Sequence, residues 1–168
     1  RKGEEEDIKN ILKEYKDIEQ IKPNGTVDGG DVLKIKKHFY IGLSERTNQQ
    51  GAEQLKSILE KNNFTCSFVE ISGLLHLKSG INYLAGNDII ISERFANFDA
   101  FKTYNKIVIP EEEEYAANSL YVNDVCIIPG RFPVTKKLIA DKGYFIEELE
   151  MSEFRKMNGG LTCLSIRF

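Results

Sequence analysis

Three successive stretches of this chain repeat one order of predicted elements, a β-hairpin followed by a helix and a returning strand. In the first stretch, alternating apolar and polar residues around Lys36 and Lys37 predict a hairpin over residues 26–43. Apolar residues on one helical face then predict a helix over residues 47–61, and residues 64–71 are predicted as a strand. Repeats of about 35–50 residues are typical of a propeller or another array of supersecondary units.

The second and third stretches show the same order with different turns. The second is predicted as strands over residues 81–83 and 89–91 around a Gly86-Asn87 turn, a helix over residues 93–104 and a strand over residues 106–109. The third is predicted as strands over residues 119–122 and 126–128 around an Asn123-Asp124 turn, a helix over residues 133–141 and a strand over residues 144–146. We therefore expect an α/β fold of ββαβ units, with an ordinary α+β sandwich as the alternative.

Both ends of the chain depart from the repeat. Acidic residues before apolar positions at helical spacing predict a helix from Glu4 to Tyr15, which is followed by a short strand over residues 18–21. A lone strand is predicted over residues 161–168. Because the sequence begins at Arg1 rather than Met, we expect a piece of a longer chain, with about three whole units and partial units at both ends. An array without all its units exposes unpartnered faces, so we expect self-association or a complementing chain.

Composition and charge exclude several classes of partner. The 168 residues include 23 Lys and Arg against 26 Asp and Glu, so a net charge of −3 gives no basic surface for nucleic acid. The longest apolar runs are far shorter than the ~18–20 residues of a membrane-spanning helix. Three cysteines without a C-x-x-C pair and only two histidines argue against a zinc framework. We expect reduced thiols and a cytoplasmic protein with no nucleic-acid or membrane partner.

Two residues have the character of a nucleophile and its base. Cys163 follows a glycine-rich loop at the start of a predicted strand, where a thiol could meet a ligand, although an inert core thiol is the alternative. His76 lies between a predicted strand and a Gly-bounded turn, and the alternative is a satisfied loop histidine. Cys66 and Cys126 lie in predicted strands and are interpreted as structural.

Charged residues near predicted element ends are further candidates. Asp28 and Asp31 flank a glycine pair, so the two carboxylates could orient a histidine or hold a cation, or simply form a turn. Arg46 lies beside a predicted helix N-terminus and could bind a carboxylate, with an ordinary surface arginine as the alternative. The acidic run over residues 111–114 is interpreted as a solvated loop.

Four motifs in this order resemble the dimethylarginine dimethylaminohydrolase family. They are DGGDVL at 28–33, GLSERTNQ at 42–49, LHLKS at 75–79 and GLTCLS at 160–165. The resemblance covers most of this chain but only the C-terminal part of the family's usual length. It implies the five-bladed α/β-propeller of the guanidino-modifying superfamily, the pentein fold. Residues 1–168 would then be the C-terminal portion of one propeller domain whose N-terminal units are missing.

The resemblance also implies roles for individual residues. Cys163 matches the family nucleophile, His76 the general acid and base, and Asp28 the carboxylate that orients the histidine. Arg46 matches a contact to the substrate carboxylate, and Arg1 matches an upstream arginine contact to the substrate. Met157 matches a backbone-carbonyl contact to the amino-acid end of the substrate. The implied reaction is hydrolysis of asymmetric dimethylarginine or monomethylarginine to citrulline and dimethylamine or methylamine. It passes through a thiouronium intermediate on the cysteine and needs neither cofactor nor metal.

Two alternatives to this function follow from the same motifs. Arginine deiminases are similar but carry an aspartate two residues after the histidine, where this chain has Lys78, so a deiminase-like guanidino hydrolase is the second reading. The resemblance also implies that guanidinium-binding carboxylates come from a segment before Arg1. The third reading is therefore an incomplete, self-associating fragment, weak or inactive unless an N-terminal chain completes it.

Overall fold

Each of the three predicted repeats folds into a three-stranded sheet in which an antiparallel hairpin pairs with a parallel third strand. The structure, a computed structural model, describes residues 3–73 and 75–165. The strands of the described residues are β1 (Val32–Ile35), β2 (His38–Leu43) and β3 (Thr65–Glu70), then β4 (Ile81–Tyr83), β5 (Asp88–Ser92) and β6 (Asn105–Ile109), then β7 (Leu120–Val122), β8 (Val125–Pro129) and β9 (Phe145–Leu149). Each sheet has its strands in sequence order, so the strand pattern of the predicted repeat is observed in all three units. An α-helix joins the second and third strands in the first and third units.

The helices lie in the connections and at the chain's beginning. They are α1 (Glu4–Leu12), α2 (Gln49–Lys61), α3 (Leu77–Gly80), α4 (Pro133–Asp141) and α5 (Ser152–Lys156). The Asn48 side chain caps α2 by accepting a hydrogen bond from the Gly51 N–H, and α4 begins with Pro133 in its first turn. None of the helices in the described residues combines the length and the hydropathy needed to cross a membrane.

The core lies between successive units. Strand β4 contacts both β1 and β7, so the first strand of each unit lies beside its counterpart in the next. Ile89 and Ile91 of β5 belong to the apolar cluster shared with the first unit, and Ile90 belongs to the cluster shared with the third. Because side chains alternate across a strand, the central sheet is covered on both faces by its neighbours.

The predicted helix over residues 93–104 is wrong. The segment forms two short 3₁₀ turns, Glu93–Phe95 and Asp99–Phe101, separated by an extended residue at Phe98. Its aromatic residues recur every third position, which is the period of a 3₁₀ turn rather than of an α-helix. Phe95 and Phe101 are therefore buried together in the first apolar cluster.

Several predicted boundaries at the ends of elements are also wrong. Residues 18–21 form no strand, because the segment runs beside α2, where the Lys22 N–H donates to Gln54 Oε1 at 2.7 Å. The hairpin begins at Val32 rather than at residue 26, since a 3₁₀ turn over Gly29–Asp31 precedes it. Helix α1 ends at Leu12. The described part of the predicted strand 161–168 is a 3₁₀ turn, Leu161–Leu164, and residues 166–168 lie outside the described residues.

The acidic run is a 3₁₀ helix, Glu111–Ala117, rather than a solvated loop. The Glu113 carboxylate accepts the N–H groups of Val134 at 3.1 Å and Thr135 at 2.6 Å, so it caps the N-terminus of α4. Arg94, which belongs to the second unit, forms ion pairs with Glu111 and Glu114 of this 3₁₀ helix. The run therefore joins the second and third units.

Candidate active site

Four loop segments meet around two adjoining cavities of about 370 Å³ and 630 Å³. The segments are the 3₁₀ turn before β1, the loop after β2, the start of α3 and the 3₁₀ turn after α5. His76, Lys78 and Cys163 line both cavities. The nucleophile and base predicted from the sequence are therefore brought to one place, although 86 residues lie between them in the chain.

His76 lies between two carboxylates. Its Nδ1 is 3.5 Å from Asp31 Oδ1, and its Nε2 is 3.7 Å from Asp28 Oδ1. Gly30 lies against the same imidazole, and a Cβ placed at that glycine would be 2.6 Å from the ring Cγ. The DGGD motif therefore surrounds the histidine, with one carboxylate facing each ring nitrogen and a glycine that leaves room for the ring.

Asp31 is the buried member of this pair. It is fully buried, and it accepts hydrogen bonds from Ser44 Oγ at 2.7 Å, Thr47 Oγ1 at 2.7 Å and the Leu77 N–H at 3.0 Å. Burial alone would raise the pKa of the Asp31 carboxyl, but His76 and these donors outweigh it and hold the pKa below its ordinary value. Asp31 is thus an ionised acceptor directed at His76 Nδ1, a role that the sequence left open within the DGGD motif.

Asp28 faces the cavity. Its Oδ1 accepts the Gly30 N–H at 2.9 Å, and its backbone N–H donates to Thr47 Oγ1 at 3.0 Å, which fixes the turn. Arg46 Nη1 lies 3.7 Å from Asp28 Oδ2, at the rim of the larger cavity. Arg46 belongs to the loop before the α2 N-cap, where Ser44 Oγ accepts its N–H at 3.1 Å. A guanidinium and a carboxylate are therefore held side by side next to the imidazole.

Cys163 is exposed on its 3₁₀ turn, so the prediction that it begins a strand is wrong. The structure explains one glycine of the loop before it by packing within the chain. A Cβ at Gly160 would lie 2.7 Å from Cγ of Asn118. The loop therefore packs closely on the chain itself, while the thiol remains open to the cavities.

The remaining thiols fit the structural interpretation. Cys126 is fully buried in β8, and burial raises the pKa of its thiol to about 12. Cys66 is half-buried on β3, and burial, together with the Glu60 carboxylate, raises the pKa of its thiol. Neither cysteine lines the cavities around His76.

The other predicted substrate contacts differ in position. Met157 follows α5, and its side chain is mostly exposed at the larger cavity. Arg1 lies outside the described residues. Lys78 is half-buried, and burial lowers the pKa of its ammonium, although Cys163, Asp28 and Asp31 oppose that shift. In the described part of the chain, no cluster of three His, Cys, Asp or Glu side chains could hold a metal ion.

Comparison with known proteins identifies the family of the chain. The arginine deiminase family model matches residues 7–96. A dimethylarginine dimethylaminohydrolase of Pseudomonas aeruginosa is 42% identical over 170 residues, which covers 100% of this chain and 67% of that protein. A Streptomyces coelicolor protein of the same name is 34% identical over 143 residues, which covers 85% of this chain and 55% of that protein.

Solved structures give the same answer. The Pseudomonas aeruginosa enzyme, solved as a cysteine-to-serine variant with citrulline, superposes with a TM-score of 0.97 over 100% of this chain and 67% of its own. The cyanobacterial arginine dihydrolase ArgZ, at 21% identity, shares the fold with a TM-score of 0.88 over 98% of this chain and 28% of its own. The predicted α/β-propeller fold class is thereby confirmed. The chain belongs to the dimethylarginine dimethylaminohydrolases of the arginine deiminase family.

Proposed function

We propose that the protein represented by this chain hydrolyses N-methylated arginines to citrulline and dimethylamine or methylamine, with Cys163 as nucleophile. One observation carries the proposal: His76 is held between two carboxylates beside the cavities onto which the Cys163 thiol opens. Thiol catalysis at a guanidinium requires this set of groups, a nucleophile, a base and a group that orients the base. The citrulline bound to the Pseudomonas aeruginosa relative supports the same product.

Substituted residues in solved relatives support the same assignment. One dimethylarginine dimethylaminohydrolase structure carries a cysteine-to-serine change, and another carries a histidine-to-glycine change in an adduct with S-methyl-L-thiocitrulline. The two substituted positions are separated by the same number of residues as His76 and Cys163. This agreement favours His76 and Cys163 as the catalytic pair.

The proposed chemistry proceeds in two halves. The thiolate of Cys163 bonds to the guanidinium carbon, and the bond from that carbon to the methylated nitrogen breaks as His76 gives that nitrogen a proton. Water then bonds to the carbon of the thiouronium and gives one proton to His76. The carbon–sulfur bond breaks, which returns the thiolate and releases citrulline, and the second proton of the water passes to the solvent. Because Asp31 faces Nδ1, it favours the tautomer with the proton there, which leaves Nε2 to exchange protons with the substrate.

Charges around the cavity favour a substrate with an anionic end and a methylated guanidinium. Arg46 can pair with the substrate carboxylate as a charge-assisted fork. The Lys78 ammonium occupies the position where the deiminases have an aspartate, so an unsubstituted guanidinium lacks that acceptor for its N–H groups. Methylated nitrogens carry fewer N–H groups, so a methylated guanidinium has fewer donors left without an acceptor at this site.

The chain spans about two thirds of the Pseudomonas aeruginosa relative and 55% of the Streptomyces coelicolor relative. We infer that residues 1–168 are the C-terminal portion of one propeller domain. Further guanidinium-binding carboxylates would then come from a complementing N-terminal segment or from a second copy. The cytoplasmic location stays a prediction.

The experiment that tests this function measures citrulline formation from asymmetric dimethylarginine and from arginine. It uses the chain alone and the chain joined to the N-terminal part of the Pseudomonas aeruginosa relative that this chain does not match, with Cys163→Ser in each as control. Cys163-dependent turnover that prefers the dimethylated substrate is expected in the joined form. A preference for arginine would instead identify a deiminase. The absence of turnover in both forms, together with a larger mass in solution, would favour the self-associating fragment.

A further inference from the structure

Asn118 joins the two loops that carry the catalytic pair, although nothing in the sequence motifs distinguishes it. It follows the 3₁₀ helix Glu111–Ala117 and is 8% exposed. Its Nδ2 donates to the Lys78 carbonyl at 3.1 Å and to Thr162 Oγ1 at 3.1 Å, and its Oδ1 accepts the Thr162 N–H at 2.9 Å. Lys78 is two residues after His76, and Thr162 is adjacent to Cys163. One amide therefore spans both loops.

The partners define which side chain can occupy this position. The Lys78 carbonyl can only accept and the Thr162 N–H can only donate, so the residue must offer a donor and an acceptor a short distance apart. The two backbone partners also fix which end of the amide is nitrogen. Asparagine satisfies both partners, whereas aspartate and leucine lack the donor. The hydrogen bonds are partly buried, so a missing partner would leave a polar group with little access to water.

Close packing holds the amide against the Cys163 loop. A Cβ at Gly160 would lie 2.7 Å from both Cγ and Oδ1 of Asn118, so a glycine is needed for this approach. In addition, Tyr115 Oη donates to the Gly159 carbonyl at 2.7 Å, from the 3₁₀ helix that ends next to Asn118. The loop that carries the nucleophile is thus held by two side chains, Tyr115 and Asn118, from the segment that precedes β7.

We propose that Asn118 is a positioning residue that sets the placement of Cys163 Sγ relative to His76. The proposal rests on the proposed function for the identity of the reaction, but the placement itself concerns only this chain. A displacement of about 1 Å between reacting groups can lower a rate about 100-fold. Loss of the amide is therefore expected to lower kcat for dimethylarginine by about 10–100-fold with little change in KM.

Asn82 provides the matched control. It is 5% exposed, and its Nδ2 donates to the Lys78 carbonyl at 3.3 Å and to the Ala117 carbonyl at 3.0 Å. It therefore contacts the His76 loop and the residue before Asn118, but its amide makes neither of the contacts to Thr162. Asn82→Ala removes a buried amide of the same kind without releasing the Cys163 loop.

The test compares Asn118→Ala, Thr162→Val and Asn82→Ala in the form of the protein that turns over in the citrulline assay. The pH dependence of Cys163 alkylation by iodoacetamide is also measured, without substrate, in this chain. We expect Asn118→Ala to lower kcat and to move the pH midpoint of alkylation, because Sγ then lies differently relative to His76 and Lys78. Thr162→Val, which removes only the Oγ1 acceptor, should produce a smaller change in the same direction.

The outcomes separate the two proposals. If Asn82→Ala changes kcat and the alkylation midpoint as much as Asn118→Ala does, or if Asn118→Ala and Thr162→Val leave both unchanged, Asn118 has no positioning role. If Asn118→Ala does not fold, Thr162→Val decides. Since alkylation needs no substrate, a shifted midpoint without citrulline formation in any form would support the positioning role while contradicting the proposed reaction.

Discussion

The Asp31 carboxylate faces the Nδ1 atom of His76 across 3.5 Å from a fully buried position. Asp28 lies on the other side of the same ring but is partly open to the cavity. Family resemblance assigns the orienting role to Asp28, whereas the structure places one carboxylate at each ring nitrogen. The two acidic residues therefore differ in what they contribute. Asp31 accepts hydrogen bonds from three groups of the surrounding chain, whereas Asp28 lines the larger cavity.

The first prediction concerns Asp31→Asn and folding stability. The amide loses the charge that the Ser44 hydroxyl, the Thr47 hydroxyl and the Leu77 N–H stabilise, so the free energy of unfolding should fall by roughly 1–3 kcal/mol near neutral pH. Because the folded-state pKa of Asp31 is lowered, its contribution is fully present above the ordinary pKa and is lost as pH falls through the folded-state pKa. The difference between wild type and variant should begin to shrink below about pH 4 and should disappear only below the lowered folded-state pKa of Asp31.

Urea unfolding across this pH range is the measurement, with Asp28→Asn as the control. Asp28 is partly exposed, so its replacement should cost less stability. An Asp31→Asn difference that stays constant down to pH 2 would show that the effect is not due to the carboxylate charge.

The second prediction concerns the three thiols. We expect iodoacetamide to modify Cys163 first in the native protein, because it is exposed at the cavities. Cys66 should react more slowly, since burial raises its pKa, and Cys126 should react only after unfolding. With a pKa of about 12, Cys126 is ionised to only about 1 part in 10,000 at pH 8. Peptide mass mapping over time checks the order, and native modification of Cys126 at the rate of Cys163 would contradict it.

The third prediction compares two arginines that follow the middle strand of their units. Arg46 lies beside Asp28 at the cavity, whereas Arg131 pairs with Glu150 at 2.8 Å and is mostly exposed. If Arg46 binds the substrate carboxylate, Arg46→Ala should raise KM for dimethylarginine about 10–100-fold with a smaller change in kcat. Arg131→Ala should leave both constants near those of the wild type. Steady-state kinetics of the two variants decide, and equal effects would remove Arg46 from the site.

The repeat and most strands could be predicted from the sequence, because apolar and polar residues alternate along the strands of each unit. Helix α4 was predicted with its observed bounds, since Pro133 marks its first turn. The segment over residues 93–104 could not be predicted from helical propensity, because contacts of its aromatic side chains with another unit favour 3₁₀ turns. At the site, Cys163, His76 and Arg46 were candidates from their local context. Burial of Asp31 depends on Ser44, Thr47 and Leu77, which no local pattern connects to it.

The last prediction uses the glycine pair between the two aspartates. A Cβ at Gly30 would lie 2.6 Å from Cγ of His76, whereas a Cβ at Gly29 would meet nothing within 4 Å. Neither glycine has a positive φ, so the two alanine variants differ mainly in what the new methyl group meets. Gly30→Ala must therefore displace the imidazole from between its carboxylates, and Gly29→Ala should not.

We expect Gly30→Ala to lower kcat by about 100-fold or more, because the ring that exchanges protons moves relative to the Cys163 thiol. Gly29→Ala should retain the wild-type kcat and, as an alanine in a compatible conformation, should be equal to or slightly more stable than the wild type. The kinetics are measured with dimethylarginine, and the His76 titration is followed by NMR. If Gly30→Ala keeps the wild-type kcat and titration curve, the imidazole does not depend on the space that this glycine provides. The DGGD turn would then be needed only for folding.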